Sequence, residues 1–252
     1  MNLKELYKTV LFYLTAPKCV CCGDRLVPGN EALCGRCLDK LLDEKSYGLC
    51  SMCFKPLYEC TCTNDYLERH YIHKLVKVFR YKPSASDGEK KPQNELIYNL
   101  KRGHRRDIVR FIAADVSEPL SLCLNGSLED YVITNVPRQK ARRTKYGVDH
   151  SQEIAKEIGR ILRIEYKSVL KSNSKQAQKK TKGEERIKNA AFDYKGRESL
   201  QGRRVIIFDD IVTTGASMGA CATLLKGLGA KSIIGACYSI AYRDSSVYSD
   251  FK

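Results

Sequence analysis

The chain has 252 residues, enough for one large domain or two modest ones. Its formal net charge is +15, and such a surface attracts phosphate-bearing partners, whether nucleotides or nucleic acid, without identifying one. The apolar fraction supports a packed core, and no apolar run approaches the ~20 residues a membrane-spanning helix needs, so no membrane span is expected.

At the N-terminus Leu3, Leu6, Tyr7, Val10, Leu11 and Leu14 fall at helical spacing, with Lys4, Glu5 and Lys8 elsewhere on the wheel. This predicts a short amphipathic lead helix over residues 1–15, packed on the segment after it. An early acid and a short apolar stretch argue against a signal peptide, and a cytoplasmic location is expected.

Twelve cysteines are present, nine of them between Cys19 and Cys62. A reducing compartment disfavours structural disulfides, so the cluster points to metal first. Cys19 and Cys22 with Cys34 and Cys37 supply four thiolates for one tetrahedral Zn²⁺. Cys50 and Cys53 with Cys60 and Cys62 form a second set, closed by a tighter CxC pair. Cys21 is left over and can stand in for Cys19 or Cys22, although Gly23 suits a knuckle turn ending at Cys22. So short a module buries little core of its own, so metal binding should supply much of its folding energy. Cys123, Cys221 and Cys237 read as small core residues.

Further along, residues 72–81 read as a strand and 83–93 as a polar loop with two prolines. Asn94–Arg102 and Asp107–Leu120 read as helices. A regular alternation comes next: strand Tyr131–Val136, helix Asp149–Ile164, strand Val205–Phe208, helix Ala216–Leu228 and strand Ser232–Ile240. Strands alternating with helices predict an α/β domain around a mostly parallel sheet. The expected division is a lead helix with the cysteine module over 1–66 and the α/β domain over 67–252, each with its own core. Lys171–Gly202 is long and highly polar, and a loop of that length inside a compact domain is disordered or functional.

The most specific segment is 204–225, RVIIFDDIVTTGASMGACATLL. Val205–Phe208 is a continuous apolar run, as in a strand buried on both faces. Asp209 and Asp210 stand at its carboxyl end, where ligands sit in an open α/β sheet. The small-residue turn Thr213, Thr214, Gly215, Ala216 and Ser217 then opens a helix, so its backbone N–H groups and the helix dipole suit a phosphate. The hydroxyls of Thr213, Thr214 and Ser217 add donors without bulk, and the two acids can accept from vicinal hydroxyls. The set suits a sugar carrying one phosphate. No Lys comes after Gly215, which disfavours a Walker-type NTPase.

This segment resembles the diphosphate-sugar signature of type I phosphoribosyltransferases. Paired cysteine knuckles ahead of it resemble the ComF family, competence-associated proteins linked to uptake of single-stranded DNA. Ile97–Asp107 is similar to that family's "LKyrG" region, with Lys101 and Gly103 on its marked positions. Asn135–Gly147 is similar to its Pro-then-basic segment, and Gln178, Arg186, Asn189 and Phe192 fall on its Q…R..N..F pattern. A departure stands at Tyr146-Gly-Val-Asp-His150, where the family commonly has Arg-Gly-Phe-Asn-Gln. His150 is a candidate acceptor base by composition only, since a lone His is more often structural.

The resemblance implies a type I phosphoribosyltransferase-like sheet with flanking helices, preceded by a small zinc-ribbon module. It implies phosphoribosyl diphosphate as ligand, Mg²⁺ on the leaving diphosphate, and a role in competence. Arg138 would touch the diphosphate, and Lys171–Gly202, with Gln178, Arg186 and Asn189, would form a hood that excludes water. The basic run Lys140–Lys145 suits either a solvated face or a nucleic-acid backbone. The rival reading is a non-catalytic zinc-ribbon protein that binds single-stranded DNA and keeps a vestigial phosphoribosyl site. A protein partner of the zinc module is a further expectation.

Overall fold

The computed structural model describes residues 6–7, 15–27, 32–81, 90–103, 105–138, 149–172, 192–195 and 199–241. Most of the expected lead helix, the Lys140–Lys145 run, and Gln178, Arg186 and Asn189 of the expected hood lie outside them. In chain order the helices are α1 (Gly35–Tyr47), α2 (Asp65–Arg69), α3 (Pro92–Arg102), α4 (Arg106–Ser121), α5 (His150–Leu162) and α6 (Ala216–Gly227). The strands are β1 (Ile72–Arg80), β2 (Tyr131–Asn135), β3 (Glu165–Tyr166), β4 (Leu170–Ser172), β5 (Phe192–Tyr194), β6 (Arg204–Val212) and β7 (Ser232–Ile240). No described helix is long and apolar enough to cross a membrane.

Five strands form one sheet in the order β1-β7-β6-β2-β3, all parallel, and β4 pairs with β5 antiparallel. Alternation along β6 splits its apolar run between two cores. Ile206 and Phe208 enter the core under α4 and α5, with Ile108, Ile112, Val116, Ile154 and Ile158. Val205 and Ile207 enter the core under α6, with Met218, Cys221, Ala222 and Leu225 at helical spacing. All four strand residues are fully buried, which accounts for a run with no polar interruption.

Two boundaries differ from the sequence expectation with a clear physical cause. Pro92 and Gln93 open α3 rather than closing a loop, because Pro is tolerated at the first helical position, where its missing N–H costs nothing. β6 does not stop at Phe208. It pairs with β7 as far as Val212, whereas its pairing with β2 ends at Phe208. Asp209 and Asp210 therefore lie within the strand, in the stretch that overruns β2.

The two expected units do not have separate cores. Cys19, Val20, Leu26, Leu33, Cys37 and Leu41 share the core under α4 and α5. Cys50, Leu57, Cys60 and Leu67 share the core under α6. The cysteine segment straddles the β1 edge of the sheet, one set of cysteines on each face. α1 is further tied to α4 by Lys45, whose Nζ lies 2.7 Å from Asp115 Oδ1 in a largely buried pair. Of the three isolated cysteines, Cys221 and Cys237 are buried and Cys123 is half-buried against the first core.

Because the cores are shared, Leu41→Ala is expected to lower stability by about 2–5 kcal/mol in a single cooperative transition, with tyrosine fluorescence and far-UV circular dichroism melting together. Two separable transitions would contradict the shared core.

Candidate functional site

β2 leads into a connection to β3 on its outer side, whereas β6 leads into α6 and β7 on the other. The strand order thus switches between β2 and β6, and the carboxyl ends of strands at such a switch point are where an open α/β sheet receives a ligand. Asp209 and Asp210 sit there. As neighbours in a strand they project to opposite faces, and each meets different partners.

Asp210 is buried and faces cations. Arg138 Nη2, just past the end of β2, donates to its Oδ2 at 2.9 Å, and Lys101 Nζ, in the last turn of α3, lies 3.3 Å from the same oxygen. Its Oδ1 accepts the Ile211 N–H at 2.9 Å. Burial alone would raise the Asp210 pKa, but Lys101 and Arg138 outweigh it and hold the carboxyl below the usual range. Asp209 Oδ1 accepts from Ser151 Oγ at 3.3 Å and from the Asp210 N–H at 3.0 Å. Burial, then the neighbouring Asp210 charge, push its pKa well above the usual carboxylate range. The pair is therefore split electrically: one anion with its cations in place, and one carboxyl that favours its proton.

The turn after β6 ends in Gly215, which caps α6 with φ 82° and ψ 0°, a left-handed conformation that favours glycine. Thr213, Thr214 and Ser217 are exposed, while Gly215 and Ala216 are buried. Thr214 Oγ1 accepts the Ala216 N–H at 3.3 Å. A Cβ on Gly215 would stand 2.7 Å from Leu67 of α2. A larger residue there collides with the protein itself.

Arg138 and Lys101 thus converge on Asp210. Lys101 carried a signal in the sequence only through the marked "LKyrG" position, and Ser151 carried none. Asp149 Oδ1 accepts the Gln152 N–H and its Oδ2 accepts the Arg138 N–H at 3.2 Å, so it both starts α5 and fixes the Arg138 backbone. The departure from the family pattern at 149–150 is a helix cap with His150 after it, which is buried.

Each cysteine set is drawn together. The four sulfurs of Cys19, Cys22, Cys34 and Cys37, and those of Cys50, Cys53, Cys60 and Cys62, each lie within 4.8 Å of one another. Tetrahedral Zn–S bonds of about 2.3 Å place sulfurs about 3.8 Å apart, and the Cys22–Cys34 and Cys53–Cys60 separations are 3.6 Å and 3.4 Å. Both tetrads fit zinc. Cys21 is not part of the first tetrad. Burial would raise the Cys19 thiol, but backbone N–H groups of Cys22, Cys34 and Cys21 bring it down to about 7. The same balance brings Cys50 down to about 7, through the N–H groups of Cys53 and Met52. Such N–H···S bonds in a knuckle turn favour the thiolate that a metal needs.

A phosphoribosyl transferase domain matches residues 145–250. The DNA utilization protein YhgH of Shigella flexneri is 26% identical over 229 residues, covering 87% of this chain and 96% of that protein. The competence protein ComFC of Bacillus subtilis is 24% identical over 207 residues, covering 81% and 82%. Among solved structures, the purine phosphoribosyltransferase of Pyrococcus horikoshii is 20% identical with a TM-score of 0.35, over 52% of this chain and 72% of that one.

The split pair sets opposite expectations for two conservative changes. A carboxyl with a raised folded-state pKa costs stability as pH rises from its unfolded pKa toward the folded one. Asp209→Asn removes that cost, so it should raise the melting temperature of the ligand-free protein at neutral pH, by roughly 2–4 °C for each kcal/mol gained. Asp210, held low, contributes stability above its unfolded pKa that is lost as pH falls through the folded one. Asp210→Asn leaves Arg138 and Lys101 without their anion and should cost about 3 kcal/mol. Equal melting shifts in the two variants would refute the split.

Proposed function

We propose that this chain, which is a ComF-family phosphoribosyltransferase-like protein, binds phosphoribosyl diphosphate at the end of β6. The observation that carries the reading is the convergence of Asp209, Asp210 and the Thr213–Ser217 turn at the β2/β6 switch point, with Arg138 and Lys101 already in place. The 5-phosphate sits on the N-terminus of α6, where exposed Thr213, Thr214 and Ser217 hydroxyls supplement the backbone N–H groups. The ribose hydroxyls donate to Asp209 and Asp210. Arg138 and Lys101 turn from Asp210 toward the diphosphate as the sugar hydroxyls take their place on the acid.

Mg²⁺, a hard cation suited to oxygen ligands, would accompany the diphosphate and would neutralise its charge as a leaving group. Oxygen donors are available in Asp209, which no cation holds among the described contacts, whereas Asp210 is engaged by two. Transfer, where it occurs, displaces diphosphate from the anomeric carbon. Gln178, Arg186 and Asn189 are the hood residues of this reading. Cys19, Cys22, Cys34 and Cys37 would hold one structural Zn²⁺, and Cys50, Cys53, Cys60 and Cys62 a second.

A second reading is favoured by the +15 charge and by relatives named for DNA utilization and competence. In it the site binds its ligand without transfer, and the basic surface holds single-stranded DNA in a salt-dependent way. Ligand binding without diphosphate release favours this reading over an enzyme.

Two measurements test the proposal. Elemental analysis of protein purified without chelator should find close to two zinc ions per chain, and none would sink the metal assignment. Calorimetry with phosphoribosyl diphosphate and Mg²⁺ should show binding that Asp209→Asn weakens by about tenfold or more, since a charge-assisted hydrogen bond contributes roughly 1.5–3 kcal/mol. Inorganic sulfate, which uses only the turn, should bind this variant unchanged. Hydroxyl donors favour the ionised Asp209, so binding releases a proton and affinity should rise with pH up to its raised ligand-free pKa. Unaltered affinity in folded Asp209→Asn would refute the site.

A further inference from the structure

Lys77 has an unusual position for a lysine. It lies in β1 of the central sheet and is 2% exposed. Its Nζ donates to the Cys60 carbonyl at 3.3 Å, the Cys62 carbonyl at 2.7 Å and the Leu75 carbonyl at 3.3 Å, and to Cys60 Sγ at 3.2 Å. Burying an ammonium is costly unless an anion and hydrogen-bond acceptors receive it. Four thiolates around a divalent ion leave the cluster a net dianion, and the second tetrad is the anion that Lys77 reaches. The Cys62 N–H adds a bond to the same sulfur at 3.3 Å.

What the tetrad holds next is the ribose-phosphate turn. Two residues beyond Cys62, Asn64 accepts the Leu67 N–H at 2.8 Å and so starts α2, while its Nδ2 lies 3.5 Å from the Thr214 carbonyl. Leu67 fills the space behind Gly215, where a Cβ would be 2.7 Å from its Cγ. Tyr66 and His70 stack with ring centroids 4.2 Å apart, and a Cβ on Gly219 in the first turn of α6 would be 2.8 Å from the Tyr66 ring. Both glycines leave room for α2, so the back of the turn is built from the cysteine segment.

We propose that Lys77 is the charge-compensating partner of the second cysteine tetrad, and that the metal-loaded tetrad, through α2, is the positioning element of the ribose-phosphate turn. Metal occupancy at Cys50, Cys53, Cys60 and Cys62 and affinity for phosphoribosyl diphosphate are then coupled. No cysteine touches the ligand. The coupling rests on the proposed phosphoribosyl site, whereas the Lys77 assignment stands without it.

Linkage makes the test reciprocal: if zinc strengthens ligand binding, the ligand strengthens zinc retention by the same factor. In the full-length wild-type protein, zinc release to a colorimetric chelator should be biphasic, one ion per phase. Saturating phosphoribosyl diphosphate with Mg²⁺ should raise the affinity of one ion only. Leu67→Ala should keep two zinc ions, bind the ligand more weakly and lose that protection. Lys77→Met should weaken one zinc ion by about ten- to hundredfold, as loss of an outer partner does, and excess zinc should restore its ligand affinity. In cobalt-substituted protein, Lys77→Met should move the thiolate-to-cobalt charge-transfer band to lower energy, because the lost N–H···S bond no longer stabilises the sulfur electrons. Wild-type protein that binds the ligand with no change in zinc retention would overturn the coupling, and this needs no variant to fold. An unmoved cobalt band and unchanged zinc affinity in Lys77→Met would overturn the Lys77 assignment. Wild-type protein with two zinc ions and no ligand binding would instead overturn the functional reading, and the coupling with it.

Discussion

Burial of β6 on both faces is the constraint on which the rest depends. Val205–Phe208 is sealed between two cores, so the strand cannot shift in register or rotate without exposing apolar surface. Pairing with β7 carries that rigidity on to Val212, four residues past the last pairing with β2. A strand end held on one side and open on the other is what allows two acids to stand at the switch point in fixed positions. The turn after it inherits its placement from the same strand.

The cost of that arrangement is electrostatic. Two adjacent carboxyls in a poorly solvated site cannot both ionise freely. The protein resolves the conflict by aiming Arg138 and Lys101 at one of them and leaving the other near a serine hydroxyl. The cations come from different elements, Arg138 from just past β2 and Lys101 from α3. In the proposed function they are also the groups that meet the diphosphate. On the proposed reading the cations are held in reserve on Asp210, and ligand hydroxyls take over that acid as the cations turn to phosphate. Such exchange lets a buried charged site persist without its ligand, since no ion is left without a counter-charge.

The cysteine segment belongs to this machinery through packing. One tetrad joins the core under α4 and α5 and the other the core under α6. A segment of this size has too little apolar surface to fold by burial alone. Two tetrads that fit zinc, together with the sheet edge, account for its order. In return it closes the β1 edge and supplies Leu67 behind Gly215.

The sequence alone determined the parts whose signals are local. Periodicity marked α4 and α5, because burial of one helix face writes itself at fixed spacing, and short runs rich in apolar and β-branched residues marked β2 and β7, which are buried on both faces. The cysteine pairs marked both tetrads, because thiolate ligands must recur at knuckle spacing. The run from Val205 to Ser217 marked the strand, the acids and the turn together. Only the tertiary structure decided what depends on distant partners. Nothing near Asp210 in the chain announces Lys101, more than a hundred residues away, and nothing near Gly215 announces Leu67. The extent of β6 was set by β7, since an aspartate pair reads as the end of a strand until a neighbour supplies its ladder. The two shared cores were hidden for the same reason: local pattern reports that a face is buried, while long-range packing chooses the surface that covers it.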